Sequence, residues 1–215
     1  MIENHFRSTA VYKVEKQNIA ENRLDDERNL IARAQDGDAQ AYAALVRRYE
    51  QIAFRAAWLL LHDRHEAADA AQDAFVRAYR ALHSFKLERS FRPWLLRIVT
   101  NLALNRIQAA QRRQRATERY AQQIFSHQPE LVLDHALAAN GQYARLQQAV
   151  LELSLDEQTL ITLRYFLELP EAEVAETLGI AIGTVKSRMH RTLGNLRTII
   201  RRDFPDLKEL TTFDS

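Results

Sequence analysis

The chain of 215 residues has no cysteine, four prolines and only five glycines. Without cysteine it has neither disulfides nor Cys-ligated zinc, which fits a protein of the reducing cytoplasm. The scarcity of glycine argues against a phosphate-cradling loop, and there is neither a Gly-x-Ser-x-Gly sequence nor a cysteine nucleophile. We therefore expect a chain that is not an enzyme and binds no cofactor.

Long apolar runs are also missing. The longest stretch, from Ile52 to Leu61, is interrupted by Arg55 and is far too short to span a membrane. The first residues, MIENHFRSTAVYK, lack the apolar core of a signal peptide. The sequence thus predicts a cytoplasmic protein that does not insert into a membrane.

Acidic residues are absent from residues 177–202, which carry six lysines and arginines, and a second basic cluster occupies residues 106–119. Acidic residues gather instead at positions 25–27 and at Glu66, Asp69 and Asp73. The net charge of only +2 hides this segregation. Separate basic and acidic surfaces indicate a nucleic-acid partner and a second partner of another kind.

Apolar residues recur at helical spacing through most of the chain, which predicts an all-α protein. Helices are expected at about 26–35, after Asp38 to about 61, at about 66–81, and from the turn containing Pro93. Within the third helix we expect Ala70, Phe75, Val76 and Tyr79 to face inward, and in the fourth we assign Trp94 to the core. The expected organisation is a flexible tail at 1–23, a domain at 24–115, a linker at 116–140, a domain at 141–205 and a tail at 206–215.

The second domain has the pattern of a helix-turn-helix. Ser154 and Glu157 have capping-box spacing, and an apolar period that includes Tyr165 follows. Pro170 opens the short helix EAEVAETL, which Gly179 ends. A small Ala175, the turn at Gly179 and an inward Val185 are spaced as in this motif. The side chains that then face outward can reach bases or phosphates: Lys186, Ser187, His190 and Arg191. The alternative is a solvated cationic helix in a bundle.

A metal site is the remaining chemical alternative, suggested by His62, His65 and Glu66. These residues fall in a short polar turn, and their spacing lacks the i, i+4 geometry of the zinc-binding HExxH helix. We therefore predict no metal site.

Several motifs in a fixed order resemble one family. DGDAQAYAALVRRY, DAAQDAFVRAYRALHSF and SFRPWLLRIVTNLALN look like region 2 of bacterial sigma factors. The segment that begins LDEQTLITLRYF and runs through GTVKSRMHRTLGNLR looks like region 4. A chain with only these two regions resembles the extracytoplasmic-function (ECF, group IV) sigma factors. The resemblance implies promoter-specific transcription initiation, often in a stress response.

The resemblance assigns one set of residues to polymerase. Asp69, Gln72 and Asp73 match the family motif that binds the β′ clamp helices of core RNA polymerase, while region 4 is expected at the β flap. Asp69 and Asp73 are four residues apart and share one helix face. The alternative for these residues is an ordinary solvated face.

Two further sets are assigned to promoter DNA. The minus-10 set is His83, Ser84, Phe85, Lys86, Asn101 and Arg106, and the minus-35 set is Arg164, Thr184, Lys186, Ser187, Arg188, His190 and Arg191. Phe85 is a wall for a flipped base or an anchor for its loop, and Asn101 reads a base edge or is simply an exposed helix residue. Arg92, Arg97, Arg106, Arg112 and Arg113 are expected near phosphates. Pro170, Glu171 and Ala181 depart from the family pattern.

The resemblance also implies an anti-sigma factor as regulator and a monomer outside the holoenzyme. A dimeric helix-turn-helix regulator would explain residues 141–202 equally well, but not DAAQDAFVRAYRALHSF. A purely structural or anti-regulatory helical protein is the third possibility.

Overall fold

A computed structural model describes residues 25–118 and 141–207, and these residues form helices joined by turns, with no strand among them. The all-α prediction is confirmed. The predicted tail at 1–23, residues 119–140 of the predicted linker and the last residues from 208 lie outside the described residues.

The helices begin and end close to the predicted positions. They are α1 (25–35), α2 (Ala39–Leu61), α3 (Arg64–Ala81), α4 (Phe91–Glu118), α5 (Gly141–Leu151), α6 (Leu155–Ile161), α7 (Glu171–Leu178) and α8 (Ile182–Asp203). A 3-10 turn, Leu82–Ser84, follows α3, and a π turn, Thr162–Phe166, follows α6.

The described chain divides into two compact units. The first contains residues 25–49 and Tyr79–Ser90, and the second contains Glu50–Ala78 and the described residues from Phe91 onward. Helices α2 and α3 contribute to both units, and the division into domains at 24–115 and 141–205 stays a prediction.

Polar contacts fix two turns of the first unit. Asp38 caps α2 because its Oδ1 accepts hydrogen bonds from the backbone N–H groups of Gln40 and Ala41, at 2.9 and 3.1 Å. The side-chain hydrogen bond from Arg33, together with these N–H groups, lowers the pKa of Asp38. The Gln35 amide donates to the carbonyl oxygens of Leu82 and Phe85, both at 2.8 Å, and so fixes the turn after α3.

The inward face of α3 differs from the prediction. Val76 and Tyr79 are 45% and 49% exposed, so their assignment to the core was wrong, whereas Ala70 and Phe75 are buried as predicted. The buried face is mostly alanine: Ala67, Ala70, Ala71, Ala74 and Ala78. Burial follows the face that neighbouring helices can approach closely, and small side chains permit the closer approach. The Tyr79 ring instead packs on Tyr42, with centroids 4.8 Å apart, and burial raises the pKa of Tyr42 to about 12.

Helix α4 begins as predicted, with Pro93 in its first turn, where a missing N–H leaves no helical bond unmade. Phe91 and Leu95 are fully buried. Trp94 is only partly buried, with its ring 5.4 Å from that of Phe91, so it lies at the edge of the core and not inside it.

The π turn after α6 corrects a second expectation. Tyr165 is exposed, although the apolar period placed it on the inward face. The Leu167 N–H donates to the carbonyl of Thr162 at 2.9 Å, and this wider turn inserts a residue that shifts the phase of the helix. Leu163, which belongs to the same apolar period, is buried, and Leu167 and Leu169 are buried after the turn.

Candidate polymerase and promoter interfaces

Helices α7 and α8 form the predicted helix-turn-helix. Pro170 is the N-cap of α7, and Gly179 ends it with the left-handed backbone angles φ 67° and ψ 35°. The N–H of Ile180 returns to the carbonyl of Ala175 at 3.0 Å, which satisfies a carbonyl at the helix end. Ala175 and Val185 are buried between the helices, as the motif requires.

Helix α8 separates an inward from an outward face. Val185, Met189 and Thr192 are buried, and Leu193, one turn after Met189, is only partly buried. Five residues of the predicted minus-35 set are exposed: Lys186, Ser187, Arg188, His190 and Arg191. Thr184 is partly buried and its carbonyl accepts a hydrogen bond from the Ser187 hydroxyl at 3.1 Å. Five of the seven predicted minus-35 residues are therefore accessible on α8.

Arg164 lies on the π turn, partly buried. Its guanidinium is 5.6 Å from the centroid of the Tyr165 ring and 3.4 Å from the carbonyl of Leu169. These contacts orient the side chain before any phosphate is present.

Glu157 connects the start of α6 to α8. Its carboxylate accepts hydrogen bonds from the Ser154 hydroxyl and N–H, at 2.6 and 3.1 Å, and from the Asn195 amide at 2.6 Å. The predicted capping box is thereby confirmed. Burial on its own raises the pKa of Glu157, but these hydrogen bonds and the charge of Arg191 outweigh it, so the pKa is lowered. Sequence spacing revealed the bond to Ser154 but not the one to Asn195.

The predicted polymerase residues form an acidic face on α3, defined here as Glu66, Asp69, Gln72 and Asp73, all of which are exposed. Arg106 of α4 donates to a Glu66 carboxylate oxygen and an Asp73 carboxylate oxygen, both at 2.8 Å, and to the Glu66 carbonyl at 3.0 Å. Arg106 thus ties both ends of the acidic face to α4. The sequence grouped Glu66 with Asp69 and Asp73 by charge, but the predicted polymerase set did not include it.

Two other arginines expected near phosphates are engaged within the second unit. Arg92 forms a bidentate pair with Glu173 of α7, with its Nε 2.7 Å from the carboxylate. The Arg97 guanidinium lies against Gly179, where an added Cβ would sit 2.9 Å from it. Arg112 and Arg113 are exposed on α4. Contacts from Arg92 or Arg106 to DNA would therefore have to replace ion pairs that already exist.

The predicted minus-10 residues differ in accessibility. His83, Ser84 and Lys86 are exposed, and so is Asn101 on α4. Phe85 is only 6% exposed, and its backbone oxygen is one of the two acceptors for Gln35. This burial fits the alternative in which Phe85 anchors the loop.

The histidines near the start of α3 do not form a metal site with their neighbours. His62 has a left-handed φ of 54°, and burial lowers its pKa, while Glu66 is held by Arg106. Within residues 25–118 and 141–207, no three His, Asp or Glu side chains are grouped to hold a metal ion. In the same residues, no helix has both the length and the apolarity to cross a membrane.

Two family models match the parts of the chain that carry the acidic face of α3 and the helix-turn-helix. The family described as "Sigma-70 region 2" matches residues 45–113, and "Sigma-70, region 4" matches residues 143–196. The acidic face of α3 lies in the first match, and the second match contains α7 and the part of α8 up to Leu196.

Curated proteins are similar in sequence to this chain over most of its length. The ECF RNA polymerase sigma factor SigW of Bacillus subtilis is 34% identical over 182 residues, which cover 80% of this chain and 95% of SigW. The RNA polymerase sigma-H factor of Pseudomonas aeruginosa is 32% identical over 173 residues, which cover 78% of this chain and 90% of that protein.

Two solved structures share the fold. CnrH, determined in complex with the cytosolic domain of CnrY, has a TM-score of 0.61 at 24% identity and covers 83% of this chain and 99% of CnrH. The sigma factor RpoE of Bartonella quintana, determined with the anti-sigma factor NepR, has a TM-score of 0.57 at 21% identity and covers 77% and 99%. With both regions matched in order, and with full-length relatives above 30% identity, this chain belongs to the ECF sigma factors of the sigma-70 family, which direct promoter-specific transcription initiation.

Proposed function

We propose that this sigma factor binds core RNA polymerase through the acidic face of α3, with Asp69, Gln72 and Asp73 against the β′ clamp helices. Two carboxylates and an amide on one exposed helix face suit arginine side chains of a partner, because charge-assisted hydrogen bonds to arginine are strong and directional. Arg106 holds Asp73 from α4, so this part of the face is preorganised and loses less side-chain entropy on binding.

In the same proposal, α8 reads the minus-35 element as duplex DNA. An exposed basic helix that follows a helix-turn-helix turn fits the major groove, where Lys186 and Arg191 reach bases or phosphates. Arg164 is proposed as a phosphate contact of the preceding turn. Region 4 is also proposed to meet the β flap. The presence of an acidic face and a basic helix on one chain is the observation that carries the whole proposal.

The minus-10 element is proposed to bind at the loop after α3 and along α4. His83, Ser84 and Lys86 are exposed there, and Asn101 offers amide groups to a base edge. Phe85 supports this loop from below, and its stacking on a base stays a prediction, as does the contact from Arg106. Neutralised phosphates make this binding strongly salt-dependent.

Regulation by an anti-sigma factor belongs to the proposal as well. It is supported by the fold shared with RpoE, which was determined with the anti-sigma factor NepR. We further propose that the chain acts in the cytoplasm, is monomeric outside the holoenzyme and leaves RNA synthesis to the polymerase.

Reconstituted transcription tests the polymerase contact. Purified chain is added to core polymerase, and promoter-specific transcripts and co-purification are measured. Asp73→Arg should abolish co-purification because it places a cation against the cations of the partner. Asp36→Arg, an equal charge change at an exposed residue before α2, should not. Retained co-purification of Asp73→Arg refutes the assigned face.

The same assay tests the minus-35 contact. Lys186→Ala and Arg191→Ala should lower transcription from promoters that depend on a minus-35 element, while polymerase binding persists. Arg202→Ala removes an exposed cation from the last turn of α8 and serves as the matched control. An unchanged promoter signal in Lys186→Ala and Arg191→Ala contradicts this part of the proposal. DNA binding as a homodimer, with no dependence on polymerase, would favour a conventional helix-turn-helix regulator.

A further inference from the structure

An exposed aliphatic side chain stands at the start of α8. Ile182 is the first residue of that helix and is 48% exposed, which places it among the few large apolar side chains left accessible in the described residues. Two others, Tyr79 and Tyr165, have an aromatic or cationic neighbour against their rings. The N-terminal residues of the second helix of a helix-turn-helix are the ones that meet base edges. Ile182 therefore lies where sequence is read.

The surroundings of Ile182 leave room for a close approach. A Cβ added at Gly183 would meet no atom within 4 Å, so nothing inside the described fold requires a glycine there. Ala181, the N-cap, is also small and exposed, and the first turn of α8 has no acidic residue. Lys186, one turn further along the same side of the helix, is exposed too. The N-terminal end of α8 thus presents an apolar, uncrowded surface, and the polar and basic surface of the same helix follows directly after it.

The chemistry of the major groove selects a target for such a surface. An isoleucine side chain has no donor or acceptor, so it cannot satisfy the polar edges of guanine, cytosine or adenine. The thymine C5 methyl is the one apolar group in the groove. We propose that Ile182 reads a thymine of the minus-35 element by packing on its C5 methyl, an inference that rests on the proposed docking of α8 in the major groove. Gly183 provides the clearance for this contact.

The proposed contact between Ile182 and the thymine methyl should have a defined effect on binding affinity and a defined salt dependence. Removal of one buried methyl group from DNA should weaken binding about fourfold, the factor that corresponds to the transfer free energy of one such group. The effect should not change with salt, because no charge is involved, whereas loss of Lys186 should alter the salt dependence. The two side chains therefore contribute separable terms.

The experiment uses the holoenzyme reconstituted with the full chain. Promoter fragments are first selected from a random minus-35 segment, and each thymine of the enriched element is then replaced by deoxyuridine, which keeps the hydrogen-bonding edge and lacks the methyl. Binding is measured for the native chain, Ile182→Ala, Ile182→Val and Lys186→Ala. Circular dichroism verifies that each variant is folded, which is expected because Ile182 is outside the core.

For the native chain and for Lys186→Ala, replacement of one thymine by deoxyuridine should weaken promoter binding about fourfold. Ile182→Ala should bind the thymine promoter about fourfold more weakly and be indifferent to the replacement, and Ile182→Val should retain most of the sensitivity. Three outcomes overturn the inference. They are an Ile182→Ala variant as sensitive to deoxyuridine as the native chain, no position at which deoxyuridine weakens binding, and an enriched element without thymine. If Lys186→Ala still weakens binding in that event, only the role of Ile182 has failed. If no minus-35 sequence is enriched, the proposed function has failed with it.

Discussion

The two glycines at positions 179 and 194 should respond in opposite directions to the same substitution. Gly179 has a φ of +67°, and an added Cβ would lie 2.9 Å from the Arg97 guanidinium. A left-handed backbone costs an L-residue about 1–2 kcal/mol, while the end of a flexible arginine can shift at little cost. Gly179→Ala should therefore lower the free energy of unfolding of the helix-turn-helix by about 1–2 kcal/mol.

Gly194 lies inside α8, where an added Cβ would meet no atom within 4 Å. In a helix interior alanine is more favourable than glycine by about 1 kcal/mol. Gly194→Ala should therefore stabilise the domain by up to that amount, and the two variants should differ by about 2–3 kcal/mol.

Tryptophan fluorescence does not suit this comparison, because Trp58 and Trp94 both lie outside residues 143–196. Urea unfolding followed by circular dichroism gives the overall change, and hydrogen exchange of α7 and α8 amides, read by mass spectrometry, localises it. If Gly179→Ala proves as stable as Gly194→Ala, the left-handed backbone at position 179 does not require a glycine, and the reasoning is refuted.

Two further substitutions test the interior of region 4. Because the pKa of Glu157 is lowered in the folded chain, its stabilising effect is present above the ordinary glutamate pKa, about 4.3, and is lost as the pH falls through the folded value. Glu157→Gln should thus be less stable than the native chain at pH 7, with a difference that shrinks in urea titrations below pH 4; a pH-independent difference would contradict this. The Thr177 hydroxyl is buried without a hydrogen-bond partner among the described residues. Thr177→Val keeps the shape of the side chain, so it should raise the free energy of unfolding by about 1 kcal/mol and raise the thermal midpoint with it. A less stable valine variant would show that the hydroxyl is bonded after all.

Helix ends were predictable because their causes lie within a few residues. Asp38 accepts the first N–H groups of α2, Ser154 and Glu157 form the box before α6, and Gly179 takes the turn that ends α7. The outward face of α8 followed in the same way from the spacing of Ala175, Gly179 and Val185.

The faces of other helices were not predictable, because burial depends on what approaches from a distance. On α3 the larger Val76 and Tyr79 are exposed while alanines are buried. After α6 a single π turn shifted Tyr165 to the surface. The apolar period identifies candidates for burial, but helix-to-helix distance selects among them.

By itself the sequence determined an all-α chain, its helix-turn-helix and the separation of an acidic α3 face from a basic α8 face. Those features arise from local hydrogen bonding and from charge order along the chain. Only the tertiary structure decided that Arg106 holds Glu66 and Asp73, and that Arg92 is paired with Glu173. The partner of a long charged side chain is set by where helices distant in sequence pack, which periodicity does not encode.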